Sequence, residues 1–483
     1  MKTIDMKRIS SYIAGAALWA VAAVPAMAQN ALRSSYFLEG SYYRHQLNPA
    51  FAPERNYFSF PALGNMNVGL QGTVGVSDFL YKTPDGQLTT FMNKSVDAGD
   101  FLDGLKERNR INMLLDMTIF SAGFRAFGGY NTIDLGIRSG VRLNLPKDLF
   151  AFMKEGMSSA NTVYEFDNLG LSTTNYAELA LGHSHRINED WTVGGKLKLL
   201  FGLAKADMKI DRMKMTMSED KWTIEGDGEM NIAVPGLDVP SKREAGASYD
   251  TPEQGEQISW EDIEMDGFGL GGFGMALDLG ATWKVRDDLE VSAAILDFGF
   301  INWKDNVRAR MGMDTWTFDG FHNVAVNPEE GETNKELGDQ MEDLGDDLED
   351  CMNFQKDGAA GSRAAMLGAT LNLGAVYTLP YYDKLKFGFL SSTRINGPYS
   401  WSEGRFSANI APVKCFDASI NYAVSSFGSS FGWLLNLHTR GFNFFIGSDH
   451  QFFKVTPQFV PVHHMNANFS MGINFPLGAR KAL

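Results

Sequence analysis

The chain has 483 residues, a formal net charge of −15 and only two cysteines. The negative charge argues against nucleic acid as a partner, because phosphate backbones bind basic surfaces. Two cysteines exclude a disulfide-rich scaffold, and we expect Cys351 and Cys415 to lie at opposite ends of the fold, unpaired. Abundant glycine (50 residues) and aromatic residues (12%) are typical of barrels that cross membranes with strands.

Residues 1–28 have the pattern of an export signal. A basic start is followed by an apolar run over residues 13–24, which is too short to span a bilayer. A small-x-small cleavage site ends at Ala28, so the mature chain is expected to begin near Gln29.

Residues 29–56 combine polar and aromatic side chains and contain the turn Asn48-Pro49-Ala50. Proline fixes the backbone angle φ and asparagine tolerates turn geometry, so a tight bend is expected there. We predict that residues 29–56 form a periplasmic or plug segment and that residues 57–483 form the main domain.

Large apolar residues alternate strictly with small or polar ones over residues 273–284. One set of positions holds Phe273, Met275, Leu277, Leu279, Ala281 and Trp283, and the other holds Gly274, Ala276, Asp278, Gly280, Thr282 and Lys284. A period of two predicts a β-strand with two unlike faces, and the same alternation recurs along most of the chain. Behind an export signal, this pattern predicts an all-β protein: a transmembrane up-and-down antiparallel β-barrel of about fourteen strands. The barrel would lie in the outer membrane, with lipid outside and a polar lumen inside.

Short turns and long polar segments alternate between the predicted strands. The long segments cover residues 77–110, 145–175, 226–266 and 305–363, and short helices are expected near residues 101–108, 146–156 and 327–350. In outer-membrane barrels the long loops are extracellular and the short turns are periplasmic. The strongly acidic segment 327–350 could be a docking lid, a calcium-holding loop or a solvated helix on the barrel mouth.

Seven charged residues fall on the polar faces of the neighbouring third to sixth strands. They are Asp134, Arg138, Arg142, Glu178, Lys196, Lys198 and Asp278. A charge near the lipid midplane costs about 2–4 kcal/mol, so these side chains are expected to face the interior. Two compatible explanations stay open: a path for a ligand, or an internal salt-bridge network that fills the lumen.

Other motifs give no sign of a cofactor, a metal or catalysis. The glycine run before the sixth strand leads into a strand, whereas a dinucleotide site needs a helix there. The pairs His183/His185 and His463/His464 have no cysteine at ligand spacing. The chain lacks a G-x-S-x-G elbow and His450 has no serine in a telling context, so we predict that the protein is not an enzyme.

The turn Leu47-Asn48-Pro49-Ala50-Phe51, just before the first strand, resembles that of FadL-type long-chain fatty-acid transporters. The chain resembles more closely the PorV and PorP barrels of type IX secretion in Gram-negative bacteria. Through the run Phe60-Pro61-Ala62-Leu63-Gly64-Asn65 it is most similar to the DUF5723 family of outer-membrane proteins. Phe51 replaces the glycine that follows N-P-A in FadL-type channels.

The resemblance implies that small hydrophobic compounds cross the outer membrane through the barrel, past an N-terminal plug and a lateral opening of the wall. A kink or missing hydrogen bonds at residues 61–64 or in the third strand would favour this function. The alternative is an accessory or scaffold barrel of a type IX-like secretion or surface-protein export system. The expected partners are outer-membrane lipid, with a small hydrophobic ligand in the first case and export-machinery proteins in the second.

Overall fold

The computed structural model describes residues 32–59, 64–82, 87–157, 161–241, 257–258, 264–265, 267, 269–311, 316–318, 354–358, 360–451 and 466–478. Outside these residues lie the predicted export signal, residues 60–63, the acidic segment 327–350, Cys351 and the pair His463/His464. Cys415 is exposed at a short turn, as a free thiol.

Fourteen antiparallel strands form a closed barrel. In chain order the wall strands are β1 (Asn56–Ser59 and Asn65–Gly72), β2 (Arg108–Ala126), β3 (Gly129–Pro146), β4 (Leu169–Arg186), β5 (Trp191–Ser218), β6 (Gly272–Arg286), β7 (Leu289–Met311), β8 (Ala369–Thr378), β9 (Leu385–Ile395), β10 (Trp401–Val413), β11 (Phe416–Ser425), β12 (Gly428–His438), β13 (Asn443–Gln451) and β14 (Ala467–Leu477). Each strand pairs with the next, and β14 pairs with β1, where Met471 lies opposite Met66. The wall therefore has no free sheet edge, as a structure that spans lipid requires. The predicted fold class and strand number are confirmed.

Exposure alternates along β6 as its sequence predicts. The outward side chains Phe273, Met275 and Leu279 are 48%, 47% and 48% exposed, whereas the inward Ala276 and Asp278 are 3% and 0% exposed. An apolar outer face on a closed barrel is stable in contact with acyl chains, while the inner face must satisfy its polar groups within the protein. The chain is thus an outer-membrane β-barrel.

Strands β5 and β7 continue well beyond the bilayer. They have 28 and 23 residues, whereas a membrane-spanning strand needs about 9–11. A further strand, Trp222–Ala233, pairs with both of them outside the lipid. This corrects two sequence-based boundaries: the loop expected from residue 226 begins as strand, and so does the insertion expected from residue 305.

The extended strands enclose a methionine-rich core at the long-loop end. It includes Met213, Met215, Met217, Met230 and Met311. Short strands add to this end of the molecule: Leu80–Lys82, Leu88–Thr90, Asn161–Glu165, Leu237–Asp238, Glu264–Met265, Trp316–Phe318, Phe354–Lys356 and Gly361–Met366. The core explains why strands persist without a membrane, because burial of apolar side chains replaces contact with lipid.

Two short helices lie over the mouth at the same end. Helix α1 spans Ala98–Asp103, and helix α2 spans Lys147–Glu155, close to the helix predicted at residues 146–156. Phe101 of α1 and Phe150 of α2 pack together with Phe91. Among the residues described, no helix is both long and apolar enough to cross a membrane.

Candidate functional site: the plugged lumen and its outer cavity

Residues 32–51 occupy the lumen and are called the plug below. The plug contains two short 3-10 turns, Arg33–Ser35 and Tyr42–Gln46, joined by irregular backbone. Its side chains Tyr36 and Tyr43 are 0% and 2% exposed. Isolated 3-10 turns are weak, so contacts with the barrel wall must hold the plug in place.

Charged wall residues bind the first turn of the plug. The carboxylate of Asp449, on β13, accepts hydrogen bonds from the backbone N–H groups of Arg33 and Ser34, each at 2.7 Å. The Arg33 guanidinium lies 2.6 Å from one carboxylate oxygen of Glu403, on β10, and Arg405 donates to the other oxygen at 2.8 Å. Separating buried ion pairs is costly, so this end of the plug is firmly attached.

The Asn48-Pro49-Ala50 turn binds the opposite wall. The Asn48 carboxamide oxygen accepts the N–H of Ala50 at 2.9 Å, and its nitrogen donates to carbonyl oxygens on β6 and β7 at 3.4 and 3.3 Å. The turn touches the wall at two glycines, because a Cβ added to Gly280 would lie 2.0 Å from the Asn48 oxygen. A Cβ added to Gly194 would lie 2.2 Å from the carbonyl oxygen of Pro49. This close approach gives the N-P-A motif a structural role.

Asp134 and Lys196, two of the seven predicted lumen charges, form one ion-pair cluster together with the plug. Lys196 Nζ lies 3.0 Å from Asp134, and Ser121 donates to the same carboxylate at 2.6 Å. His45 of the plug lies 3.6 Å from Asp134 and is hydrogen-bonded to Tyr57 at 2.8 Å. The cluster therefore links the plug to β3 and β5.

Arg138 and Glu178, two further predicted charges, meet in a second cluster. Arg138 contacts Asp116 of β2 at 2.5 Å and donates through Nε to Glu178 at 2.9 Å. Asp116 was not among the residues predicted from the sequence. Alternation along β2 could have identified it, because Asp116 lies on the same face as the polar residues Asn112 and Thr118, which are also buried.

Lys198 and Asp278 form a third cluster with Asp297, a residue that the sequence pattern did not predict to face the lumen. Lys198 Nζ lies 2.9 Å from Asp278 and 2.6 Å from Asp297, whose backbone N–H donates to Asp278 at 2.7 Å. Pairing of β6 with β7 shifts between Leu277 and Leu279, and Asp297 has a φ of 58°. This β-bulge turns Asp297 inward, whereas uninterrupted alternation from Ser292 would point it into lipid.

Arg142, the last of the seven, differs from the others. Its side chain is 9% exposed and lines a cavity of about 300 Å³ at the long-loop end of the lumen. Within the part of the chain that the structure describes, Arg142 makes no ion pair. A second cavity of about 40 Å³ lies between plug and wall, and Arg138 lines both cavities.

The histidines considered for metal binding or catalysis take part in packing. His183 and His185 have ring centroids 5.9 Å apart, and His183 is hydrogen-bonded to Asn131. His450 does meet a serine, Ser430, at 2.8 Å, but the two residues are only 3% and 2% exposed. Among the described residues no three histidine, cysteine or acidic side chains are grouped to hold a metal ion.

No curated protein matches the chain. Among solved structures it is similar to the Ralstonia pickettii toluene transporter TbuX, with 9% identity, a TM-score of 0.41 and coverage of 94% of this chain and 100% of that one. It is also similar to the P. putida toluene transporter TodX, with 8% identity, a TM-score of 0.39 and coverage of 90% and 93%. A Pseudomonas aeruginosa FadL homologue shares 11% identity, a TM-score of 0.37 and coverage of 94% and 100%. Because these TM-scores are low, the fold assignment rests on the closed barrel itself.

A family of unknown function, DUF5723, matches residues 49–449, and the chain belongs to that family.

Proposed function

We propose that the barrel admits small hydrophobic compounds across the outer membrane, through the outer cavity and then sideways through the wall. The observation that carries the proposal is the position of the cavity of about 300 Å³, which ends at Arg138 and the plugged lumen. A cavity beyond it, between the plug and the wall, has a volume of about 40 Å³. A general porin instead keeps a wide aqueous channel through its centre.

Strand β1 supports a sideways route. Its first segment ends at Ser59 and its second begins at Asn65. Phe58 pairs with Ala122 and Asn65 pairs with Thr118. Between these two pairs, β1 contains three more residues than β2, because the residue numbers differ by seven in β1 and by four in β2. The register between β1 and β2 therefore shifts by three residues between these two described segments, and such a shift would suit a lateral exit. The seven predicted lumen charges would then line and stabilise the path rather than carry the compound through the centre.

Filling the cavity tests the proposal. Ala365 lines the cavity, whereas its neighbour Ala364 does not and is exposed. Cells that express the protein should take up the fluorescent hydrophobic probe phenylnaphthylamine faster than cells without it. Ala365→Trp should reduce the uptake rate to that of cells without the protein, because the indole occupies the path.

Ala364→Trp is the matched control and should take up the probe at the wild-type rate. Uptake that is equal with and without the protein, or equal in wild type and Ala365→Trp, would contradict the proposed passage. The heat-dependent shift in gel mobility, which reports a folded barrel, must be the same for all three proteins.

The export-scaffold hypothesis would use the acidic outer loops as the contact surface, and the most acidic of them, segment 327–350, lies outside the described residues. No feature of the described surface favours it over passage, so hydrophobic-compound passage is the proposed function.

A further inference from the structure

Arg142 is a buried cation that has no counterion among the residues that the structure describes. The other predicted lumen cations, Arg138, Lys196 and Lys198, each lie within 3.0 Å of a carboxylate, whereas Arg142 has no such partner among the residues described. A guanidinium taken out of water loses hydration that only an anion or several hydrogen-bond acceptors can replace. The side chain is therefore poised to bind an anion from outside the protein.

The surroundings of Arg142 strengthen this expectation. Arg394 lines the same cavity, and its nearest carboxylate, Asp297, is 3.7 Å away and shared with Lys198. The Nε atom of Arg394 is buried and has no hydrogen-bond partner in the described part of the chain. Lys205 also lines the cavity and is paired with Asp207. Cations thus outnumber the acidic side chains of the lining, and their common field favours a negative ligand.

The rest of the cavity is suited to an apolar body of limited size. Leu171, Trp303 and Leu367 provide apolar surface, and Tyr176 and Tyr399 provide aromatic rings with hydroxyl groups. The volume of about 300 Å³ is at the lower end of the range for small-molecule sites, about 300–1,000 Å³. A single ring with a short acid arm would fit this volume with its acid group at Arg142.

We propose that the outer cavity binds a compact organic monoanion, with its acid group on Arg142 and its apolar body against the wall formed by Trp303 and Leu367. This inference deepens the proposed function and rests on it, since it names the class of compound that enters the path. The acid group is held by a bidentate guanidinium contact, and Tyr176 and Tyr399 line the same cavity with hydroxyl groups that are able to donate hydrogen bonds.

The test compares phenylacetate with its neutral isostere phenylacetamide on the purified full-length protein in detergent. Isothermal titration should show phenylacetate binding about tenfold or more tightly than phenylacetamide, because only the carboxylate gains the charge-assisted hydrogen bonds. Arg142→Gln should abolish this difference, and Arg142→Lys should retain part of it. The control is Arg212→Gln, at a side chain that is 76% exposed outside the cavity, and it should bind like wild type.

Three results would overturn the inference: equal binding of the two probes by wild type, an unchanged preference in Arg142→Gln, or palmitate binding more tightly than phenylacetate. If Arg142→Gln does not fold, the wild-type comparison alone decides. The failure of this inference is distinguishable from failure of the proposed function. Phenylnaphthylamine uptake without a preference for phenylacetate contradicts only the anion site, and Arg142-dependent binding without any uptake contradicts only the passage.

Discussion

Lys198→Met is expected to destabilise the barrel by about 3–5 kcal/mol, because it leaves the buried Asp278 without its cation and leaves Asp297 with only the more distant Arg394, at 3.7 Å. Asp278 and Asp297 are 0% and 7% exposed, and Lys198 contacts both. Methionine approximates the length of the lysine stem, so the effect isolates the lost charge. Urea unfolding in lipid vesicles, followed by tryptophan fluorescence, measures the change.

Two companion variants make this result specific. Lys284→Met removes a lysine from an exposed pair with Asp287, which should change the unfolding free energy by less than about 1 kcal/mol. Adding Asp278→Asn to Lys198→Met should restore part of the loss by removing one unpaired charge. A Lys198→Met barrel as stable as wild type would show that the cluster is not an essential counter-charge of the lumen.

Gly194→Val is expected to displace the plug and open the lumen to ions. The added Cβ would lie 2.2 Å from the carbonyl oxygen of Pro49 and 2.5 Å from the backbone nitrogen of Ala50. These are backbone atoms of a tight turn, so the turn cannot yield by rotating a side chain. Planar-bilayer recordings should show a closed wild-type barrel and long-lived open steps for the variant.

Gly361→Val is the matched control, because nothing lies within 4 Å of the Cβ it would add. It should stay closed like wild type. A variant that lacks residues 32–51 gives the conductance of an empty lumen, which Gly194→Val should approach. A folded Gly194→Val barrel that remains closed would contradict the role of the N-P-A turn as the attachment of the plug.

The alternation of side chains was sufficient to predict the barrel, but not every boundary. The bounds of β9, Leu385–Ile395, are readable from the sequence, because this segment has one apolar face and turn residues at both ends. The resemblance of the chain to the DUF5723 family is confirmed by the family match over residues 49–449. The extension of Trp222–Ala233 was not predictable in the same way, because its stability comes from a core formed with distant strands.

The residues of the candidate site could be predicted only in part from the sequence, for two physical reasons. A β-bulge at Asp297 exchanges the inward and outward positions along β7. A strict alternation therefore predicts that Asp297, which pairs with Lys198, points into lipid instead of into the lumen. The second reason is distance along the chain: Arg33 meets Glu403 and Asp449 only after the barrel closes. No local sequence pattern predicts a contact between such distant residues. Asp134 and Lys196, by contrast, lie on nearby strands, and the alternation of each strand predicts that both side chains point into the lumen.

The most direct measurement is a high-resolution structure of the protein purified from its native outer membrane. The expected result is a barrel with residues 32–51 inside it and a compact ligand in the outer cavity, with its acid group against the Arg142 guanidinium. An outer cavity that holds only water, with a second protein bound across the long loops, would contradict passage and favour the export-scaffold hypothesis.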